Sequence, residues 1–314
     1  MHPALTRFEA IDVQANGLRF RVRTAGEGDR LALLLHGFPE MWFSWRDQMP
    51  LLAKLGYRVW APDLRGYGES DKPRGVGAYS MDTLVEDVAA LIDAAKAREV
   101  LLIAHDWGGA VAWEVVGRRV RKIDRFVAMN IPHPAIFAKH LLKPGPQLLR
   151  SWYMFAFQLP GIAEWYLRRD DYRAIKGAFL SMAVDRRRFP EDVLQVYRDA
   201  AAQPGALTAM LSWYRAAFRH PLAARRRPEH IDTPTLMIWG EEDKALGKEL
   251  TFGTEDFVRD LTIRYVPDAS HWIQQEAPET VNAMLEAWLT GERVPEAWEI
   301  EPERAKRDSS AEAR

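Results

Sequence analysis

The chain of 314 residues contains no cysteine. This absence excludes a disulfide framework and a thiolate metal site, and we expect a cytoplasmic protein. The sequence also lacks a run of about 20 apolar residues, the length that a membrane-spanning helix needs. Charged residues such as Arg7, Glu9 and Asp12 interrupt the beginning of the chain, so we expect no signal peptide.

The chain also lacks an excess of one charge, because it contains 43 Lys and Arg residues and 44 Asp and Glu residues. Proteins that bind nucleic acid usually carry a basic excess, so we expect no nucleic-acid partner and no membrane insertion. The eight histidines lack the His-Glu-x-x-His spacing of a zinc helix, so we expect no metal. The 47% hydrophobic content fits an ordinary soluble protein, a monomer or a homodimer, with a sizeable core.

Short apolar runs alternate with helical patterns along much of the chain. Alternating apolar and polar residues at 8–24, with Asn16-Gly17 between them, predict a β-hairpin. Further strands are predicted at 31–35, 57–61, 100–104, 123–129, 235–239 and 261–266, and helices at 81–97 and 278–289. This order is typical of the α/β class, with a mostly parallel central sheet and helices on both faces.

The alternation stops in the middle of the chain. Residues 132–228 show helical patterns punctuated by prolines, so we predict a helical cap inserted into an α/β core of residues 1–131 and 229–290. Residues 291–314 are charged, rich in Ala and Ser, and poor in large apolar groups, so we predict a flexible tail there.

Residues 104–109, Ala-His-Asp-Trp-Gly-Gly, predict a nucleophile elbow between a buried strand and a helix. The sharp turn needs small residues on both sides of the nucleophile, here Ala104 and Gly108. The central residue is Asp106, where lipases and esterases carry serine. A carboxylate that attacks carbon forms an alkyl-enzyme ester, which favours an sp³ carbon as the electrophile.

Two further motifs supply an acid and a histidine at the ends of later strands. Asp243 closes a Trp-Gly-Glu-Glu-Asp segment, and His271 stands in Asp-Ala-Ser-His-Trp. A carboxylate in that place can orient the histidine and stabilise its charged form. The chain order Asp106, Asp243, His271 is that of an α/β-hydrolase triad. Glu241 and Glu242 compete with Asp243 for the role of the acid.

A fourth motif, His-Gly-Phe-Pro, follows the strand at 31–35. In this architecture the loop after that strand and the residue after the nucleophile each supply an oxyanion-hole N–H, here Phe38 and Trp107. Such a donor contributes about 3–4 kcal/mol to transition-state stabilisation. Each motif alone also fits a structural role, such as a turn or a helix cap. Four motifs in the required order favour catalysis.

These motifs together resemble the epoxide hydrolase branch of the α/β-hydrolase superfamily, over roughly residues 8–290. The markers are His36-Gly37-Phe38-Pro39-Glu40, the Asp-x-Arg-Gly-Tyr-Gly-x-Ser loop from Asp63, His105-Asp106-Trp107-Gly108-Gly109 and Ser270-His271-Trp272. The resemblance implies an α/β-hydrolase fold with a cap, an aspartate nucleophile and no cofactor. It also implies that a small-molecule epoxide and water are the reactants and a vicinal diol the product.

The resemblance further implies cap tyrosines that hydrogen-bond the epoxide oxygen. One lies in a Trp-Tyr-Arg segment, and Tyr214 matches it. The other usually precedes the Phe-Gln of a Phe-Gln-x-Pro-Gly segment, but Ala156 stands there in this chain. Tyr153 lies three residues earlier, on the same face if the segment is helical, so we expect it to reach the same position.

The 12 tryptophans fit an apolar, aromatic-lined pocket for lipophilic epoxides, although several of them also fit a packed core. The side chains that we expect to contact substrate are those of His36, Trp107, Trp213 and Trp272.

A haloalkane dehalogenase is the first alternative, because it would use the same Asp106 and His271. The Trp107 indole could bind the halide, but a second donor is needed and the Phe38 side chain has none. The cap offers other candidates for that donor, namely Trp152, Trp165 and Trp213.

A ligand-binding protein without catalysis is the second alternative, since a fold does not imply a function. Such proteins usually lose a member of the triad. All three members are present in this sequence, which favours an enzyme.

Overall fold

The structure, a computed structural model, describes residues 2–219 and 230–300. Eight strands form one sheet in the order β1-β2-β4-β3-β5-β6-β7-β8. Their bounds are Glu9–Ala15 (β1), Leu18–Ala25 (β2), Arg30–Leu35 (β3), Arg58–Pro62 (β4), Glu99–His105 (β5), Arg125–Met129 (β6), Thr235–Gly240 (β7) and Leu261–Val266 (β8). Strand β2 is antiparallel to β1 and β4, and the other neighbours are parallel. The predicted α/β class with a mostly parallel sheet is confirmed.

The hairpin at the edge of the sheet follows from its turn residues. Asn16 and Gly17 have φ of 46° and 73°, the left-handed conformations that a two-residue hairpin turn requires. Ala15 therefore pairs directly with Leu18.

The helices cover the sheet and fill the middle of the chain. They span Ala4–Arg7 (α1), Met49–Lys54 (α2), Met81–Ala95 (α3), Asp106–Gly117 (α4), Pro134–Leu141 (α5), Pro146–Arg150 (α6), Trp152–Ala156 (α7), Ile162–Met182 (α8), Glu191–Ala202 (α9), Ala206–Arg219 (α10), Ile273–Glu276 (α11) and Pro278–Thr290 (α12). Helix α8 is interrupted at 169–172, where Asp170, Asp171 and Tyr172 have positive φ. Short 3₁₀ turns lie at Trp42–Trp45, Val76–Tyr79, Arg186–Arg188, Lys248–Thr251 and Thr254–Asp256.

The centre of the sheet is buried on both faces. Strands β3, β5, β6 and β7 carry continuous apolar runs, and their side chains are almost entirely inaccessible to water. This pattern is expected for parallel strands that helices cover on both sides. Because the carboxyl ends of these strands lie at one edge, the loops that follow them meet there.

Between β6 and β7, the described residues form helices joined by turns. The buried Arg215 of α10 donates two hydrogen bonds to Glu164 of α8, at 2.6 and 2.9 Å, and one to the Phe157 carbonyl. These bonds join α10 to the beginning of α8. The predicted boundary between cap and core at residues 228 and 229 lies outside the described residues.

Residues 292–300 pack against the sheet rather than extending loosely from it. Val294 and Ala297 are buried, and the Arg264 guanidinium on β8 donates to the Val294 carbonyl. The first part of the predicted tail is therefore ordered by contacts with β8, and residues 301–314 lie outside the described residues. Within residues 2–219 and 230–300, no helix is both long and apolar enough to cross a bilayer.

Candidate active site

Asp106 is the first residue of α4 and directly follows β5, at the carboxyl edge of the sheet. Asp106 has φ of 48°, in the left-handed region that is costly for a residue other than glycine. A Cβ on Gly37 would overlap the Asp106 side chain, and a Cβ on Gly108 would overlap the Leu35 carbonyl. Both positions therefore require glycine so that the two loops can approach each other.

The two carboxylate oxygens of Asp106 have different partners. The Phe38 backbone N–H donates to Oδ1 at 2.8 Å, whereas Oδ2 lies 3.5 Å from Nε2 of His271. Burial alone would raise the pKa of Asp106, but His271, His105 and the Phe38 N–H together lower it. Trp107 lies in the first turn of α4, where backbone N–H groups have no intrahelical acceptor.

Asp243 holds the other side of the His271 ring. Its Oδ2 lies 2.7 Å from Nδ1 of His271 and also accepts from the Asn130 amide at 2.7 Å. Its Oδ1 accepts from the backbone N–H groups of Ala245 and Leu246 at 2.7 and 2.9 Å. These bonds fix the carboxylate and orient the imidazole.

The competing carboxylates do not contact the histidine. Glu241 forms an ion pair with Lys248, and Glu242 is exposed to solvent. Among the three neighbouring acids, the structure therefore places Asp243 against His271.

His271 lies between two carboxylates. Burial lowers its pKa, but the charges and hydrogen bonds of Asp243 and Asp106 raise it well above the ordinary 6.5. The imidazole is therefore held in its charged form as long as Asp106 carries its negative charge.

A second buried network lies behind the His271 backbone and was missed in the sequence analysis. Nδ1 of His105 lies 2.8 Å from Glu40 Oε2, and Nε2 lies 2.8 Å from the His271 carbonyl. Gln274 and Gln275 donate to the other oxygen of Glu40. Burial alone would raise the pKa of Glu40, but His105 and further hydrogen bonds lower it. Glu40 and His105 lie inside the motifs that mark the family resemblance, and this position is the only signal in the sequence for their role.

The two predicted cap tyrosines pack together near Asp106. The Tyr214 ring on α10 packs edge-on against Phe38 and Trp107, with ring centroids 5.2 and 5.0 Å apart. The Tyr153 ring on α7 lies 6.0 Å from that of Tyr214. Burial is the main cause that raises the pKa of both phenols, and the negative charge of Asp106 contributes to both, so both remain protonated.

The predicted substrate contacts differ in their surroundings. Trp107 is half-buried beside Asp106, but Trp213 is buried and its indole N–H donates to the Arg65 carbonyl at 3.1 Å. Trp272 is buried against the His271 ring, with centroids 4.8 Å apart, and packs on Phe179.

His36, a predicted substrate contact, is fully buried beneath the loop that follows β3. Its Nε2 accepts from the Leu64 backbone N–H at 3.0 Å, and its Nδ1 lies 2.9 Å from the Gly37 carbonyl. Burial lowers its pKa to about 4, so the ring is neutral. With both nitrogens bonded to the backbone, His36 braces the loop that carries Phe38.

Comparisons with known proteins agree on one family. The model of the alpha/beta hydrolase fold matches residues 33–278. The AB hydrolase superfamily protein YfhM of Bacillus subtilis is 41% identical over 88% of this chain and 96% of its own length. Epoxide hydrolase 4 of Mus musculus is 37% identical over 92% of this chain and 81% of its own. An epoxide hydrolase crystal structure from Bacillus megaterium superimposes with a TM-score of 0.82, at 29% identity, over 89% of this chain and 100% of that one.

Proposed function

The chain belongs to the epoxide hydrolase branch of the α/β-hydrolase family, and from this premise we propose that it opens lipophilic epoxides to vicinal diols through a covalent ester on Asp106. One observation carries the proposal. Asp106 offers Oδ1 to the Phe38 N–H and Oδ2 to His271, and the buried Tyr214 and half-buried Tyr153 pack together beside Trp107, the next residue. This arrangement suits an electrophile that leaves an alkoxide in need of a proton.

In the first step, Asp106 Oδ2 attacks one carbon of the epoxide. Oδ1 is already held by the Phe38 N–H, so the nucleophile is Oδ2, which lies 3.5 Å from Nε2 of His271. Tyr214, assisted by Tyr153, donates a hydrogen bond and then a proton to the departing oxygen. A phenol is a suitable acid toward a strongly basic alkoxide.

The ester then changes the charge balance around His271. Ester formation removes the negative charge of Asp106, which is one of the two charges that raise the His271 pKa. The pKa of His271 therefore falls, and its proton passes to the tyrosine phenolate. Neutral His271, oriented by Asp243, is then a base that can take a proton from water.

In the second step, that water attacks the carbonyl carbon of the Asp106 ester. The developing oxyanion is Oδ1, which stays within reach of the Phe38 N–H, with the Trp107 N–H as the second donor. Collapse breaks the bond between the carbonyl carbon and Oδ2, and the alkoxide takes the proton from His271. The diol leaves with Oδ2, and the carboxylic acid returns its proton to His271.

The cap tryptophans are poorly placed for the dehalogenase alternative. A halide needs a second donor beside the Trp107 indole, and the cap tryptophans are the candidates for it. The Trp213 N–H is bonded to the Arg65 carbonyl, and Trp152 and Trp165 are 67% and 62% exposed. Two phenols close to Asp106 suit an oxygen leaving group better.

Product analysis by mass spectrometry tests the proposal. The purified protein is incubated with aryl and alkyl epoxides and with terminal haloalkanes, with Asp106→Ala as the blank and Asp268→Ala, an exposed aspartate, as the matched control. We expect diols from the epoxides with the wild type and Asp268→Ala and none with Asp106→Ala. Halide release without diol would transfer the assignment to a dehalogenase, and no turnover at all would favour a ligand-binding protein.

A further inference from the structure

Exposed apolar side chains are concentrated in one stretch of this chain. Among the described residues, eleven large hydrophobic side chains are exposed, and eight of them lie between residues 142 and 166. Single exposed apolar residues are normal, but such a concentration marks an interaction site. We call these eight residues the cap patch: Leu142, Leu149, Trp152, Phe155, Leu159, Ile162, Trp165 and Tyr166.

We propose that the cap patch docks this protein on an anionic lipid surface. The patch is rich in the side chains that prefer the boundary between water and lipid. Trp152, Trp165 and Tyr166 are 67%, 62% and 60% exposed, and each combines an apolar ring with one polar group. Trp165 and Tyr166 follow Ile162 by three and four residues, a spacing that puts all three on one face of α8.

The charge around the patch is positive, although the net charge of the chain is −1. Within residues 139–173, each of the three carboxylates is already paired with an arginine: Glu164 with Arg215, Asp170 with Arg169 and Asp171 with Arg198. Four exposed basic residues in the same stretch have no ion pair within the described parts of the chain: Lys139, Lys143, Arg168 and Arg173. The uncompensated charge beside the cap patch is therefore cationic.

The cap patch, together with the four exposed cations of the same stretch, which we call the basic rim, matches an anionic lipid surface in both respects, because the rings can enter the interface and the cations can meet the headgroups. A second copy of the chain matches it less well. A two-fold symmetric dimer would place the patch against itself and the basic rim against an identical rim.

Docking there would also bring the lipid close to the candidate active site. Helix α7 carries Trp152 on its exposed side and, at the next residue, Tyr153 against Tyr214. A lipophilic substrate dissolved in the bilayer would then have a short path to Asp106. This last point rests on the proposed function, whereas the docking itself does not.

Vesicle co-sedimentation of the full chain, without substrate, tests the docking. The probes are unilamellar vesicles of phosphatidylglycerol and phosphatidylcholine, compared with vesicles of phosphatidylcholine alone. One variant combines Trp152→Ser with Trp165→Ser, a second combines Lys143→Glu with Arg168→Glu, and the matched control is Trp298→Ser, which removes a 70% exposed tryptophan outside the patch. We expect wild-type binding to the anionic vesicles, a partition coefficient about tenfold lower in either double variant, and a change below about twofold in the control.

Three results would overturn the proposal: no binding of the wild type to anionic vesicles, equal binding of the wild type and both double variants, or a dimer in sedimentation velocity that the tryptophan variant dissociates. The dimer would assign the patch to a second copy. The two double variants share no residue. If one of them fails to fold, the vesicle binding of the other still tests the proposal. Because substrate is absent, the result is independent of the proposed reaction.

Discussion

At the residue scale, the chemistry depends on the unequal surroundings of the two Asp106 oxygens. Oδ1 accepts the Phe38 N–H at 2.8 Å, and Oδ2 faces His271 at 3.5 Å. The first oxygen is prepared to carry negative charge during ester hydrolysis, and the second, which has only the longer contact with His271, is the one that bonds to carbon. Ring opening and hydrolysis therefore need different groups, which substitutions can separate.

We predict that His271→Gln forms the ester on Asp106 but hydrolyses it slowly. Attack by Oδ2 needs no base, whereas activation of water does, and a general base contributes about 10²–10⁴-fold. Intact-mass measurement after mixing with an epoxide should show one substrate added per chain, and diol turnover should fall by that factor. His140→Gln on α5 is the control and should turn over normally. A variant that forms no adduct, or that turns over like the wild type, would refute the base role.

We predict that Tyr214→Phe and Tyr153→Phe each slow ring opening, by about tenfold or more, without changing ester hydrolysis. Both phenols lie close enough to Asp106 for its charge to raise their pKa, and the raised pKa keeps both protonated as donors. Stopped-flow measurement of the intrinsic tryptophan fluorescence during ester formation reads the first step alone. The control is Tyr265→Phe, which removes a hydroxyl bonded to Thr251. If Tyr153→Phe opens the epoxide as fast as the wild type, Tyr153 does not replace the tyrosine absent at Ala156.

The positions of site residues could be predicted from the sequence where the order of the strands alone determines them. Asp106, Asp243 and His271 each follow a parallel strand, and parallel strands bring such residues to one edge. The bonding of side chains behind that edge was not predictable. His36 directly follows β3 and His105 is the last residue of β5. Only the three-dimensional packing shows that His36 bonds to two backbone groups and His105 to Glu40.

At the element scale, the junction of β5 and α4 depends on the close approach of the beginning of α4 to the segment that follows β3. We predict that Gly108→Ala destabilises the protein by about 1–3 kcal/mol or more, because its Cβ would overlap the Leu35 carbonyl. Gly117→Ala at the other end of α4 meets no atom within 4 Å and should be neutral or stabilising by up to about 1 kcal/mol. Urea unfolding of both variants measures the contrast. Equal stabilities would show that the turn has room to relax.

Element boundaries show what a sequence pattern leaves open. The helix predicted at 81–97 ends at Ala95, because Lys96 adopts φ of 50° and closes it. Helix α8 breaks at 169–172 without a proline or glycine, so nothing in the local sequence signals the break. The strands, by contrast, were predictable to within two residues, since continuous apolar runs bounded by polar residues mark buried parallel strands.

At the scale of the whole molecule, the buried charges of the site couple folding to pH. The folded-state pKa of His271 is raised above its ordinary 6.5. Its contribution to stability is therefore fully present below pH 6.5 and is lost as pH rises through the raised value. Asp106 has a lowered pKa, so its contribution is lost only as pH falls below its ordinary range.

We therefore predict that the free energy of unfolding of the wild type falls as pH rises from about 6.5, and that His271→Gln lacks this decrease. Urea titrations at a series of pH values measure it, with His140→Gln again as the control. Parallel pH profiles for His271→Gln and the wild type would show that the carboxylates do not hold His271 charged.

The most direct test of the covalent mechanism is to follow the oxygen of water through a single turnover. Enzyme in excess over epoxide is allowed one turnover in water enriched in heavy oxygen, and the diol and the peptide containing Asp106 are then analysed by mass spectrometry. Because the diol leaves with Oδ2, the covalent mechanism predicts an unlabelled diol and one heavy oxygen in the Asp106 carboxylate. A diol that carries the label, with Asp106 unlabelled, would show direct attack of water on the epoxide and contradict the covalent ester.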